Sequence, residues 1–171
     1  MTTKTLTLTT AAATLALGAC AKKAPEQLPP APQETAAATT EAPAETAAVP
    51  GTQEHFAIAV GAPNTTVYFD TDKFDLDAED TAKLQTQARY FAQYTNVNFT
   101  VEGHADERGT REYNLALGER RANAAKNYLV GLGIPATRIR TVSYGKERPV
   151  ALESDESAWA QNRRAATVVI G

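Results

Sequence analysis

From Phe56 onward the hydrophobic positions repeat with two different periods, one of about two residues and one of about three and a half. Phe56, Ile58 and Val60 alternate with smaller or polar neighbours, and Gly61-Ala62-Pro63-Asn64 then turns the chain. Thr66-Val67-Tyr68-Phe69 is a β-branched and aromatic run and predicts a strand. Asp77 can cap a helix with Asp80 at its third position, and Leu84, Ala88 and Phe91 recur at i, i+4 and i+7 behind it. Val97, Phe99 and Val101 alternate again, giving a strand that ends at Gly103. After a polar loop, a second helix is predicted from about Glu112 to Leu132, closed by Gly133 with Pro135 just beyond. Arg138 to Tyr144 reads as a strand with Ile139 and Val142 as apolar markers. Glu153-Ser154-Asp155-Glu156 leads through a helical turn toward Trp159, and Ala166 to Ile170 forms the last strand. Alternation of this kind implies one α/β (α+β) sandwich, with helices packed on a single mixed sheet.

The second helix carries the first chemical clue. At 100° per residue, Leu117, Ala124, Tyr128 and Leu132 form one apolar stripe, and Arg121 falls in its middle. A guanidinium in a core-facing row is costly unless acceptors satisfy it, and its planar fork suits a carboxylate. Asn114 lies two turns earlier on the same side. The loop before the helix, His104-Ala105-Asp106-Glu107-Arg108-Gly109-Thr110, places Asp106 beside a helix N-terminus, whose free N–H groups favour anions. An inward arginine, an aspartate and a helix N-terminus would recognise a zwitterion, with carboxylate on Arg121 and ammonium on Asp106. An internal Arg121–Asp106 salt bridge with no ligand is an equal alternative from spacing alone.

Composition changes the picture at the other end. The chain has 171 residues and is 43% hydrophobic, but the first fifty residues draw much of that share from alanine, which cannot build a core. Lys4, the apolar stretch Leu8 to Leu17 and Leu17-Gly18-Ala19-Cys20 have the layout of a secretory signal. The chain's single cysteine cannot close an intrachain disulfide, and Leu-Gly-Ala-Cys resembles a bacterial lipobox with Cys20 as the lipidated residue. Ala21 and Lys22 lack the aspartate that retains some lipoproteins in the inner membrane, which points to the outer one. From Ala21 to about Glu54 the chain is rich in Pro, Ala, Thr and Glu, with Pro25, Pro29, Pro30, Pro32, Pro43 and Pro50. Such a stretch buries too little apolar surface to fold and reads as a disordered tether. Fully extended it would reach about 100 Å. The expected organisation is a signal over residues 1–19, a lipidated cysteine and tether over 20–54, and a folded domain over 55–171.

Charge and histidine content narrow the function. A net charge of −3 lacks the basic footprint of a nucleic-acid binder. His104, Asp106 and Glu107 cluster as a hydrolase or metal site would, but only His55 and His104 are present, and catalytic zinc takes three protein ligands. No Ser or Cys nucleophile sits beside a base. The expectation is no catalysis, no metal and no cofactor. Lys83, Arg89, Arg138 and Arg140 are read as solvated, and Trp159 as a core or loop anchor.

Several long motifs carry a family likeness. Val101-Glu102-Gly103-His104-Ala105-Asp106-Glu107-Arg108-Gly109-Thr110, Glu112-Tyr113-Asn114 and Leu117-Gly118-Glu119-Arg120-Arg121-Ala122-Asn123-Ala124 resemble the peptidoglycan-associated lipoproteins, within the OmpA C-terminal-like domain family. Val142-Ser143-Tyr144-Gly145-Lys146-Glu147, Gln161-Asn162-Arg163-Arg164-Ala165 and Val67-Tyr68-Phe69-Asp70 extend the likeness to about residues 66–171. Glu153-Ser154 departs from the Gly-His common in that family. The resemblance implies non-covalent binding of the diaminopimelate unit of the peptidoglycan stem peptide by Asp106 and Arg121. It also implicates Asn114, Leu117, Phe69 and Asp70. It further implies partnership with TolB and other Tol components, anchorage on the periplasmic face of the outer membrane, and support of envelope integrity and cell division. Two rival expectations remain: a periplasmic protein-interaction module that docks TolB without gripping the wall, and a peptidoglycan hydrolase.

Overall fold

The computed structural model describes residues 48–170; the signal, Cys20 and most of the tether lie outside the described residues. The elements follow in the order α1 (Gln53–Val60), β1 (Thr66–Tyr68), α2 (Ala78–Gln93), β2 (Asn98–His104), α3 (Arg111–Gly131), β3 (Ile139–Gly145), α4 (Glu156–Asn162) and β4 (Arg164–Ile170), with short 3-10 turns at Ala62–Thr65 and Ala136–Arg138. The four strands form one mixed sheet in the order β1-β4-β2-β3. β4 runs antiparallel to both β1 and β2, while β2 and β3 are parallel and joined through α3. The sequence-derived fold class is therefore observed.

Local signals explain most boundaries. Asp77 caps α2, its side chain accepting from the Asp80 N–H at 2.8 Å. Thr110 caps α3 and Asp155 caps α4 in the same way. Gly133, at φ +95°, ends the α3 turn where a side chain would be strained. The first segment differs from expectation. Phe56, Ile58 and Val60 lie on a helix, capped by Thr52, and not on a strand. Phe56 and Val60 are one turn apart and buried, while Ile58 points to solvent, so the apparent alternation is half of a helical repeat.

The core is aromatic at its centre. Phe91 stacks on Phe99 with centroids 3.7 Å apart, and Phe56 stacks on Phe91 at 5.1 Å. Leu84, Val67, Val101 and Leu129 complete it. Gln87 sits fully buried because both ends of its amide are satisfied, by the Thr167 hydroxyl at 2.7 Å and the Asn64 carbonyl at 2.6 Å. Arg138, expected on a solvated face, instead spends its guanidinium on the C-terminal carbonyls of α2 and the turn after it. It donates to Phe91 O (2.9 Å), Tyr94 O (2.7 Å) and Val97 O (2.9 and 2.8 Å). Lys83 is likewise mostly covered and pairs with Glu79 and Asp80, whereas Arg89 and Arg140 are exposed as expected.

The contact that positions the site is between backbones. A Cβ on Gly103 would lie 1.8 Å from the Gly118 carbonyl oxygen, and one on Gly118 would lie 2.4 Å from Ser143 Oγ. Only hydrogen fits at both positions, so α3 lies directly on the end of β2. The buried stripe of α3 is accordingly Asn114, Leu117, Gly118, Arg121, Ala122, Ala125 and Leu129. Ala124 and Tyr128, expected within the stripe, lie on its flank, and Leu132 is exposed.

Candidate functional site

Arg121 is the largest fully buried side chain among the described residues, and it projects from α3 beneath the end of β2. Three carbonyls hold it. Nε donates to Lys73 O at 2.9 Å, Nη1 to His104 O at 2.8 Å and Nη2 to Asp70 O at 3.1 Å. The guanidinium also lies 5.2 Å from the centre of the Phe69 ring. A guanidinium has five N–H donors, so two remain after these three bonds. Burial pulls its pKa down to about 10, opposed by the attraction of Asp106 and reinforced by the repulsion of Arg163.

Arg121 and Asp106 are near enough to feel one another but do not pair. Asp106 is buried and bound by Arg108. The Arg108 backbone N–H and Nε reach Oδ1 at 3.1 and 3.2 Å, and Nη2 donates to Oδ2. Arg163 Nη1 stands 3.6 Å from the same Oδ2 and has no hydrogen-bond partner although it is buried. Burial alone would raise the Asp106 pKa, but the Arg108 hydrogen bonds and the charges of Arg108 and Arg163 outweigh it and hold the carboxyl below its ordinary value. The internal Arg121–Asp106 salt bridge is thus absent, and the bracing of Arg121 is done by backbone oxygens.

The other expected site residues separate by role. Asn114 is buried and donates to Arg108 O at 2.8 Å, fixing the loop rather than facing outward. Leu117 is buried one turn below Arg121. Phe69 and Asp70 line a cleft of about 380 Å³ together with Lys73, Gln161 and Arg163. Asp106 lines a separate cleft of about 270 Å³ with Thr71, Asp72, Arg108, Gly109 and Tyr113. The segment Asp70–Lys73 runs between the two and covers Arg121. It is fastened to the opposite wall by Tyr113 Oη donating to Asp72 Oδ1 (3.1 Å) and Arg108 Nη2 donating to Thr71 Oγ1 (3.3 Å). Asp72 adopts φ +58°, a left-handed backbone unusual outside glycine.

Sequence reasoning missed Arg108, Arg163 and Trp159. Arg163 and Arg164 are adjacent at the entry to β4 and point to opposite faces. Arg163 donates through Nε to Phe69 O (2.9 Å) and through Nη2 to Glu156 (2.8 Å) on the site side. Arg164 joins Glu102, His104, Tyr144 and Arg148 on the open side of the sheet. There His104 is buried with neither ring nitrogen hydrogen-bonded, and burial, with Arg164 and Arg148 nearby, lowers its pKa to about 4. The Arg108 guanidinium stacks on Trp159 at 4.2 Å, and Trp159 Nε1 donates to Glu107 at 2.9 Å. The strand predicted from sequence began only at Ala166, so the period of two that sends the adjacent arginines to opposite faces was not applied to them. Among the described residues no group of three His, Cys, Asp or Glu side chains could hold a metal ion, and no helix is long and apolar enough to cross a membrane.

Comparison with known proteins places these features in context. Residues 68–163 match the OmpA family. The peptidoglycan-associated lipoprotein of Rhizobium meliloti is 55% identical over 125 residues, covering 73% of this chain and 69% of that protein. The peptidoglycan-associated lipoprotein of Agrobacterium fabrum is 53% identical, covering 72% of this chain and 68% of its own length. The crystal structure of the peptidoglycan-associated lipoprotein from Burkholderia pseudomallei superimposes with a TM-score of 0.61 at 45% identity, over 62% of this chain and 90% of that one.

Proposed function

This chain belongs to the OmpA family, among the peptidoglycan-associated lipoproteins, and we propose that its folded domain grips peptidoglycan without cutting it. The observation that supports this most directly is the buried Arg121 beside Asp106. Two unspent guanidinium donors match the two oxygens of one carboxylate, and Asp106 supplies an acceptor for an ammonium group. The free end of a diaminopimelate side chain presents both charges on one carbon. Its carboxylate on Arg121 and its ammonium on Asp106 would fix the stem peptide through two charge-assisted contacts. Phe69, Asp70 and Arg163 would shape the rim, while Asn114 and Leu117 would hold the loop and helix in place.

On the same reading, Cys20 carries lipid in the outer membrane and the tether spans to the wall. Confinement by the anchor raises the effective concentration of a weak site near its ligand. Family membership supports TolB and other Tol components as further partners, and with them a part in envelope integrity and division.

The test is sedimentation of the full chain with diaminopimelate-type peptidoglycan, as wild type and as Asp106→Asn. The wild type should pellet with the wall, and the variant should stay in solution while melting as a folded protein. Equal pelleting of both would move the site away from Asp106. Failure of the wild type to pellet would favour the protein-docking reading.

A further inference from the structure

Arg121 has no exposed surface, and its neighbour Asp106 already carries a cation. Any ligand that reaches this pair must therefore first undo something, and the contacts of Arg108 show what. Its guanidinium makes two of the hydrogen bonds on Asp106 and also donates to Thr71 Oγ1 at 3.3 Å, across the mouth of the site. Its side chain is 38% exposed, so it is free to leave. It is also provided with somewhere to go. The Trp159 ring lies 4.2 Å beneath it, and Glu156 Oε2 stands 3.9 Å from Nη1.

Resting on the wall-binding reading above, we infer that Arg108 is a resident cation on Asp106 that competes with the ligand's ammonium and is displaced toward Glu156 when ligand binds. The exchange is balanced in charge: one cation leaves Asp106 as another arrives, and no carboxylate is left bare at any stage. Displacement also cuts the Arg108–Thr71 bond, one of the contacts that hold the Asp70–Lys73 segment over Arg121, beside Tyr113–Asp72 and the two bonds that Arg121 itself makes to the segment's carbonyls. Freeing the carboxylate and loosening the cover over the arginine are thus coupled through one side chain. An amine-free carboxylate lacks the means to displace Arg108, so it gains nothing at Asp106. Arg108 acts through Asp106 and the Thr71 contact, and is a positioning residue that sets how tightly a zwitterion is held.

Trp159 makes this visible, because it is the chain's only tryptophan and Arg108 stacks on it. The experiment titrates the full chain with a stem peptide ending in meso-diaminopimelate, by calorimetry and by tryptophan emission, for wild type, Arg108→Gln and Arg108→Lys. Wild type should bind with an emission change whose midpoint matches the calorimetric one. Arg108→Gln should bind roughly threefold or more tighter, the range expected from removing a half-exposed competing ion pair, and should lose the emission change. Arg108→Lys, which keeps a cation but not the planar fork, should fall between. Equal or weaker binding by Arg108→Gln, or an undiminished emission change in it, would overturn the inference while leaving wall binding intact. Absence of binding in all three would remove the wall-binding reading and this one together.

Discussion

Replacing Arg121 by alanine should unfold the domain more readily as well as abolish ligand binding, and the size of the first effect follows from its three carbonyl bonds. Hydrogen bonds to a charged group contribute ~1.5–3 kcal/mol each, so three amount to roughly 5–9 kcal/mol. Burial opposes this. A guanidinium pulled from its ordinary value down to about 10 is disfavoured by ~3 kcal/mol. The net loss on truncation is then ~2–6 kcal/mol, in line with the ~3–5 kcal/mol typical of breaking a buried charged network. For a domain of this size the melting temperature should fall by roughly 10–20 °C. The Asp70 and Lys73 carbonyls can regain water, but the His104 carbonyl bond is buried and carries the largest share. Thermal melts followed by circular dichroism would measure the drop, with Asp106→Asn as the companion, since Asn retains an acceptor for the Arg108 backbone N–H and should melt within a few degrees of wild type. A fall of less than about 3 °C for Arg121→Ala would mean that the carbonyl cage carries little weight, and the reasoning would fail.

His104 is held at about 4 while the unfolded chain's imidazole protonates near 6.5; the unfolded state therefore binds more protons in that window, and stability present above pH 6.5 should fall by up to ~3 kcal/mol by pH 4. Urea midpoints across that range should flatten in His104→Gln, and an equal slope in both proteins would contradict the assignment. Gly103→Ala, whose new methyl meets backbone at 1.8 Å, should cost ~3 kcal/mol or prevent folding, read from soluble yield and melting; a melt like wild type's would show that α3 can lift off β2 freely. Arg138→Ala should lower stability by ~2–3 kcal/mol because it uncaps the end of α2, in contrast to a change of a few tenths for Arg140→Ala in the same urea series. Deleting half of residues 21–54 should reduce retention of the chain on isolated cell walls in membrane-bound samples without changing the affinity measured for stem peptide; unchanged retention would remove the spanning role.

Much of the fold was legible because its signals are local. The cap at Asp77, the glycine after α3 and the alternation through β2 each act within a few residues. Arg121 was found because a charge on an apolar stripe breaks a simple pattern. What could not be read are the partners, since a guanidinium accepted by three backbone oxygens from two distant segments leaves no trace in side-chain identity. For the same reason Asp106 looked like the natural mate of Arg121, although Arg108, two residues away, reaches it first. Arg138 was misplaced because a long side chain that leaves the surface to cap a helix is indistinguishable, in sequence, from one in water. The helical repeat in α1 was too short, at eight residues, to be told from an alternation. The displaced stripe of α3 has a steric cause: Gly103 and Gly118 let the helix sit closer and turn toward β2, which brings Gly118 and Ala122 inward at the expense of Ala124 and Leu132.

That glycine contact also gives the site a fixed origin of measurement. Asp106 follows Gly103 by three residues along the chain, and Arg121 follows Gly118 by three residues along the helix, so both distances are counted from the same point of touch. One residue inserted between Gly118 and Arg121 would swing the guanidinium by about 100° away from its three oxygens. An insertion near Gly133, beyond the helix, would leave the count unaltered. The molecule should therefore accept changes of residue type at exposed positions around the site while rejecting changes of length inside it. Variation among natural or engineered forms of this domain should appear as substitutions within Gly103–Arg121, and as insertions only outside.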